Sequence, residues 1–455
     1  MFSFIDILLI FLYLVGCLFI GLYKATKIKT LEEYSLGKSQ YPSTIMTATI
    51  FATSISSYST IGTIEKIYTL GFFFILTFIA KPVFFLISGH MLSRNIEQFK
   101  GCMSISDMFE VLYGKSPKIL VTLVSLLMCI GMVTIQIYAI SIILHAIGID
   151  SFKGTIISFM VLICYSSLGG VRAVSFTDLF QFLVFFIALP VICSSAFWGV
   201  GGFSGIYNHL GSEYFNLNLS TKDIILFVSI FAFNSIPALA PPVMQRMLMV
   251  KSSVRVSKIF YTNALLCIPF FLIIAIIGMT VKISCANSDN LEKDIIRFLV
   301  DGVPNGVAGL VISGLLAIIM STADSYLNTA SIIFTKDILK GLLKKEESLL
   351  QVKIVSFVLG ILSIPIALKG INIVDFFWAL SSLWSPIIFI PMLVGCYKSL
   401  PTREGLFWCS SLFGVLFSCL GALFYGALGT LSTVLGVAGS MFGVVLYMAF
   451  SPDNS

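Results

Sequence analysis

Four oxygen-bearing side chains, Ser321, Asp324, Ser325 and Asn328, recur at intervals of three and four residues inside the apolar segment Ile318–Asp337. That spacing puts them on one face of an α-helix, with Thr322 beside them. Oxygen ligands suit hard cations, and an ionisable side chain in a membrane-grade run is costly to keep without a task. The segment reads as a cation-holding helix.

The elements that must position this face are membrane spans. Of 455 residues, 58% are hydrophobic and 11% charged, and the mean hydropathy is +1.01. An ordinary soluble domain carries roughly 25% charged residues, so the expected class is an all-α integral membrane protein. Apolar runs predict thirteen spans centred within residues 7–23, 43–61, 70–92, 119–145, 152–168, 179–200, 224–240, 259–280, 307–333, 350–368, 374–396, 406–425 and 431–450. The first lacks a small-residue cleavage site and reads as a retained helix. With the N-terminus outside and the C-terminus inside, most of the 28 Lys and Arg residues, Arg246 among them, fall in inner loops, as the positive-inside rule requires. Lys81 alone lies within a span. The net charge of +6 then needs no nucleic-acid partner.

Several chemistries are excluded. Most of the ten cysteines fall within spans, so no disulfide framework is implied. His90, His145 and His209 are isolated, which supports neither a zinc nor a haem site. No P-loop is present, and no base, nucleophile and metal constellation marks an enzyme. Any energy for pumping would have to come from an ion gradient.

Two spans are interrupted. The second is crowded with Ser and Thr from Ser43 to Thr63, side chains that bond their own backbone. The seventh carries Asn234, Pro237, Pro241 and Pro242, which end or kink a helix. Paired interruptions in corresponding places of two halves point to an inverted repeat with binding sites near the bilayer midplane. Ordinary proline kinks and Ser/Thr packing faces remain the plainer alternative.

The motifs EYSLGKS at Glu33–Ser39, FATSIS with IG across Phe51–Gly62, YSSLGGVRAVSFTDLFQ at Tyr165–Gln181, MQR at Met244–Arg246 and MSTADSYLN with its FTKD tail occur in order along the chain. In these the chain resembles the sodium:solute symporter family, which includes proline, pantothenate, sialic acid and sugar symporters. The resemblance implies a leucine-transporter-like core of two inverted five-helix repeats, residues 40–202 and 220–398. An extra N-terminal helix (1–30) and two extra C-terminal helices (403–455) would flank it. By motif, the sodium ligands would be main-chain carbonyls of Ala52, Ile55 and Ile318 with the hydroxyls of Ser321 and Thr322. Some members bind a second cation, for which Asp178, Ser321, Asp324 and Ser325 are the corresponding positions. A structural, hydrogen-bonded Asp178 is the alternative.

Lys81 stands where related sugar carriers place a small polar substrate-contacting residue. A lysine at mid-membrane depth costs on the order of 3 kcal/mol by insertion scales and calls for a partner. A solute carboxylate is one; Asp324, or a carbonyl at the Pro82 kink, is another. Similar matching adds Ser56, Ser59, Phe78, Phe233 and Trp378 to the solute pocket. The expected function is sodium-coupled import of a small carboxylate-bearing solute, an amino acid or organic acid, by alternating access. Its partners would be that solute, sodium and the lipid bilayer, with no obligatory protein partner. A proton-coupled carrier of the same fold is one alternative. A transporter-like solute sensor is another, disfavoured because no output domain follows the last span. Compact loops and short tails suit a bacterial inner membrane.

Overall fold

The computed structural model describes residues 3–25, 28, 30–37, 41–94, 96–237, 239–250, 252–285, 291–304, 306–397, 403–425 and 428–450, leaving aside the side chains of residues 151, 158, 164 and 165. Lys38 and Ser39 of the EYSLGKS motif, and the side chain of Cys164, lie outside the described residues.

The elements used below are α1 (Phe4–Ala25), α2 (Ser43–Ser54), α3 (Thr63–Leu70), α4 (Phe72–Ser93), α5 (Lys115–Ala146), α6 (Ser151–Gly199), α7 (Thr221–Ser235) and α8 (Pro241–Leu248). They continue with α9 (Ser253–Ser284), α10 (Leu291–Asp301), α11 (Ala308–Ile333), α12 (Leu349–Ala367), α13 (Ile373–Cys396), α14 (Glu404–Tyr425) and α15 (Thr430–Phe450). Among the described residues, ten helices are long and apolar enough to cross a membrane. They coincide with ten of the thirteen expected spans. The other three are the two interrupted segments, whose pieces are each too short, and the first part of α6, which runs through a kink into the next span.

That kink is at Gly170, with φ 52° and ψ −163°. A Cβ there would lie 2.6 Å from both the ring and the carbonyl oxygen of Tyr34, so the left-handed backbone and the close approach both require glycine. Tyr34 in turn donates its hydroxyl to Ser167 O at 3.0 Å. The EYSLG and YSSLGG motifs are thus two halves of one contact.

Both expected interruptions occur. The α2 helix stops at Ser54, Ile55 is extended (φ −97°, ψ 119°), and the chain re-enters through a π-helical turn, Tyr58–Gly62, into α3. Gly62 lets this turn approach α13, since a Cβ would meet Val374 at 2.6 Å. Likewise α7 ends at Ser235, Ile236 is extended, and α8 begins with Pro241 and Pro242 in its first turn, where the missing N–H groups cost nothing. Between them Leu239 adopts φ 46°, a conformation disfavoured by roughly 1–2 kcal/mol for a residue with a Cβ.

The helix bearing the polar face is the centre of the bundle. All of α11 except Leu310 is buried, packed by α6, α5, α1 and α12. Its serines and threonines therefore need partners inside the protein.

Candidate ion and solute site

The interruption of the first broken helix faces α11. Thr322 donates its hydroxyl to Ile55 O at 2.9 Å and to Ile318 O at 3.3 Å. Three of the five expected sodium ligands, Ile55, Ile318 and Thr322, therefore meet directly. Ala52, one turn earlier on α2, is fully buried, as is Ser321. Carbonyl and hydroxyl oxygens form the donor set a hard monovalent cation takes. A hydroxyl that now donates to Ile55 O could turn its proton aside and offer a lone pair instead.

Ser321 is drawn the other way, donating to Asp178 Oδ1 at 2.9 Å. The second carboxylate oxygen of Asp178 accepts from Thr49 and from Arg246 Nη2, the latter at 3.0 Å. The same guanidinium donates to Ser325 Oγ (2.6 Å), Thr49 Oγ1 (2.7 Å) and Pro242 O (3.2 Å). Ser325 also donates to Asp324 Oδ1 at 3.3 Å and shares a hydrogen bond with Thr53 at 3.1 Å. Asp178, Ser321, Asp324 and Ser325 are thus brought together as expected, but around an arginine. Arg246 does not belong in an inner loop: it is 1% exposed and fixed inside the bundle. The prolines that start α8 turn the helix inward, so its last turn delivers Arg246 to Asp178, 68 residues away in sequence.

Ser56, Ser59, Lys81 and Phe233 line a single cavity of about 90 Å³, which also touches Ile55, Tyr58, Asn234, Ser381 and Ser385. Lys81 makes no ion pair among the described residues; its Nζ lies 5.4 Å from the centre of the Tyr58 ring. Neither Asp324 nor a carbonyl at the Pro82 kink is its partner. Phe78 and Trp378 lie outside this lining. Phe78 packs on Phe74 and Phe271 at 5.5 and 5.0 Å. Trp378 forms an outer layer, donating Nε1 to the Tyr58 hydroxyl at 3.4 Å and standing edge-on to Phe233 at 6.5 Å. Tyr58 closes the space between the broken helices, stacking on Phe377 at 4.2 Å and reaching Asn234 Oδ1 at 3.5 Å. Sequence reasoning missed Ser381 and Ser385, although their spacing of four in SSLWSP is a polar face in an apolar span.

Two acids, Glu65 on α3 and Glu292 on α10, lie close enough to repel one another. Tyr138 donates to Glu292 Oε2 and Asn372 donates to Glu65 Oε1, both at 3.2 Å. Burial and the nearby Glu65 charge push the Glu292 carboxyl up from 4.5 to about 7, against the Tyr138 hydrogen bond. Because the folded state holds this proton more tightly than the unfolded chain, the contribution is fully present below 4.5 and is lost as pH rises through about 7. Thermal stability measured across this window should fall with pH in the parent protein and fall less in Glu292→Gln. Parallel curves would show that Glu292 titrates normally.

A sequence model of the sodium:solute symporter family matches residues 34–414. The chain is 26% identical to a sodium/sialic acid symporter of Proteus mirabilis over 390 residues, covering 80% of this chain and 77% of that one. It is also 26% identical to a sodium/glucose cotransporter of Vibrio parahaemolyticus, covering 93% and 85%. In three dimensions it superimposes on a substrate-bound, outward-open sodium-coupled sialic acid symporter with a TM-score of 0.83 at 23% identity, covering 99% of each chain. A nucleobase-cation-symport-1 family transporter follows at 0.63 and 12% identity, covering 92% and 94%. These neighbours share the leucine-transporter-like fold, and with the family match over most of its length, the chain belongs to the sodium:solute symporter family, with sodium as the co-transported ion.

Proposed function

We propose that this symporter imports a small carboxylate-bearing solute by alternating access, with sodium held by the carbonyls of Ala52, Ile55 and Ile318 and the hydroxyls of Ser321 and Thr322. The observation that carries the reading is the Thr322 hydrogen bond to Ile55 O at 2.9 Å. It joins the interruption of α2 to α11 at the edge of the cavity, where Ile55 itself is part of the lining. An ion at this junction would order the broken helix and with it Ser56 and Ser59, so that sodium and solute raise one another's affinity by the same factor. The solute carboxylate is received by Lys81. The layout is thirteen spans, N-terminus outside and C-terminus inside a bacterial inner membrane, with repeats at 40–202 and 220–398.

A second coupling ion is favoured by the donor set. Carboxylate and hydroxyl oxygens of Asp178, Ser321, Asp324 and Ser325 gather in one place, as a hard monovalent cation requires. That cation is sodium or a proton. Uptake of radiolabelled carboxylates into proteoliposomes, with sodium and pH gradients imposed separately, tests both readings. A sodium gradient alone should drive accumulation; accumulation driven only by the pH gradient would make the carrier proton-coupled. Lys81→Met should lower carboxylate uptake roughly tenfold or more while leaving sodium-dependent stabilisation of the purified protein intact. Equal loss of both would assign Lys81 a structural role.

A further inference from the structure

We infer that the solute is a monoanion without an ammonium group, a simple organic carboxylate carrying an apolar body and not an amino acid. The inference rests on the proposed seating of the carboxylate at Lys81 and narrows it by charge. Ten segments surround the cavity: α2 and α7 with the interruptions that follow them, α4, α5, α8, α9, α11 and α13. Among the described residues of the lining, Lys81 is the one charged side chain. Asp178 and Asp324 are outside the lining, linked to it through Ser325 and Thr53, and Asp178 is paired with Arg246. The proposed sodium ion at Ile55 adds a second positive charge at the cavity edge.

In a space screened from water, charges are not offset by solvent, so the net charge of the loaded site decides its cost. A monoanion offsets one of the two positive charges. A zwitterion offsets none on balance, and its ammonium, two bonds from the carboxylate carbon, would sit close to the Lys81 ammonium with no carboxylate on the wall to receive it. Phe84, Phe85, Met128, Met132, Phe271 and Phe377 are among the apolar residues of the lining and fit an apolar body. Hydroxyls of Ser56, Ser59 and Ser385 are left to complete the carboxylate's hydrogen bonds beside Lys81, while Ser381 donates to Phe377 O at 2.8 Å.

Matched pairs test this directly. Thermal stabilisation of the purified protein in sodium buffer would be measured with 4-methylpentanoate against L-leucine, 3-phenylpropanoate against L-phenylalanine, the two corresponding amides, and sialic acid. Each deaminated acid should act at a concentration roughly tenfold or more below that of its amino acid, with the amides inactive. In Lys81→Gln the preference should vanish, and in Lys81→Arg it should persist. Amino acids acting as well as the acids, sialic acid alone acting, or no acid acting would each overturn the inference. The two levels separate cleanly. If acids and amino acids act equally and both are lost in Lys81→Gln, the carboxylate seat stands and only the monoanion assignment falls. If the acids act unchanged in a folded, sodium-responsive Lys81→Gln, the seat itself falls.

Discussion

Replacing Ser321 and Thr322 together by alanine is expected to raise the sodium concentration needed for half-maximal stabilisation roughly ten- to hundredfold, since losing a hydrogen-bonding or ligand oxygen on a charged group costs about 1.5–3 kcal/mol. The readout needs no knowledge of the solute, because an ion that binds only the folded state raises stability by mass action. The single variants separate two sites that share Ser321. Among the described residues the Thr322 hydroxyl bonds to Ile55 and Ile318, so Thr322→Ala should weaken the first sodium site and leave the Asp178 network intact. Ser321→Ala removes a donor to Asp178 as well and should disturb both. Thr322→Ser keeps the oxygen and should stay within a few-fold of the parent. Unchanged sodium dependence in the double variant would remove these hydroxyls from the ion site.

The legible and illegible parts of this site differ in physical kind. Hydropathy sees long apolar helices because each is a local run, and prolines at 237, 241 and 242 announce a break because their effect on the backbone is local too. The face of α11 was readable for the same reason: four polar residues in one helix carry their own spacing. Arg246 was not. A basic residue just after a helix-breaking Pro-Pro pair looks like an inner-loop positive charge, and only the tertiary fold shows that this turn points inward at Asp178. Phe78 and Trp378 failed differently. In spans apolar all round, an aromatic residue's direction is set by packing and not by pattern, so sequence could place both near the cavity without showing that they form its outer layer.

The buried arginine also carries the largest expected effect on stability. Arg246→Met removes four hydrogen bonds and leaves the Asp178 carboxylate, fully buried, without its counter-charge. Breaking one side of a buried pair typically costs 3–5 kcal/mol, so about that loss is expected as a lowered unfolding temperature and poor yield. Adding Asp178→Asn removes the stranded charge while keeping the shape, and should recover a good part of the loss; the double-mutant cycle then reports the pair's coupling. Arg246→Lys should recover little, because a lysine cannot donate at once to Thr49, Ser325, Asp178 and Pro242. The decisive observation is the sodium response of Arg246→Met. With the guanidinium gone, Asp178 loses the positive charge beside it, and a monovalent cation gains affinity for that space. Sodium should therefore stabilise Arg246→Met by a larger increment than it stabilises the parent, and this excess should disappear when Asp178→Asn is added. Equal increments in parent and variant would mean that the acids take a proton in place of the arginine, and that sodium has no second seat there.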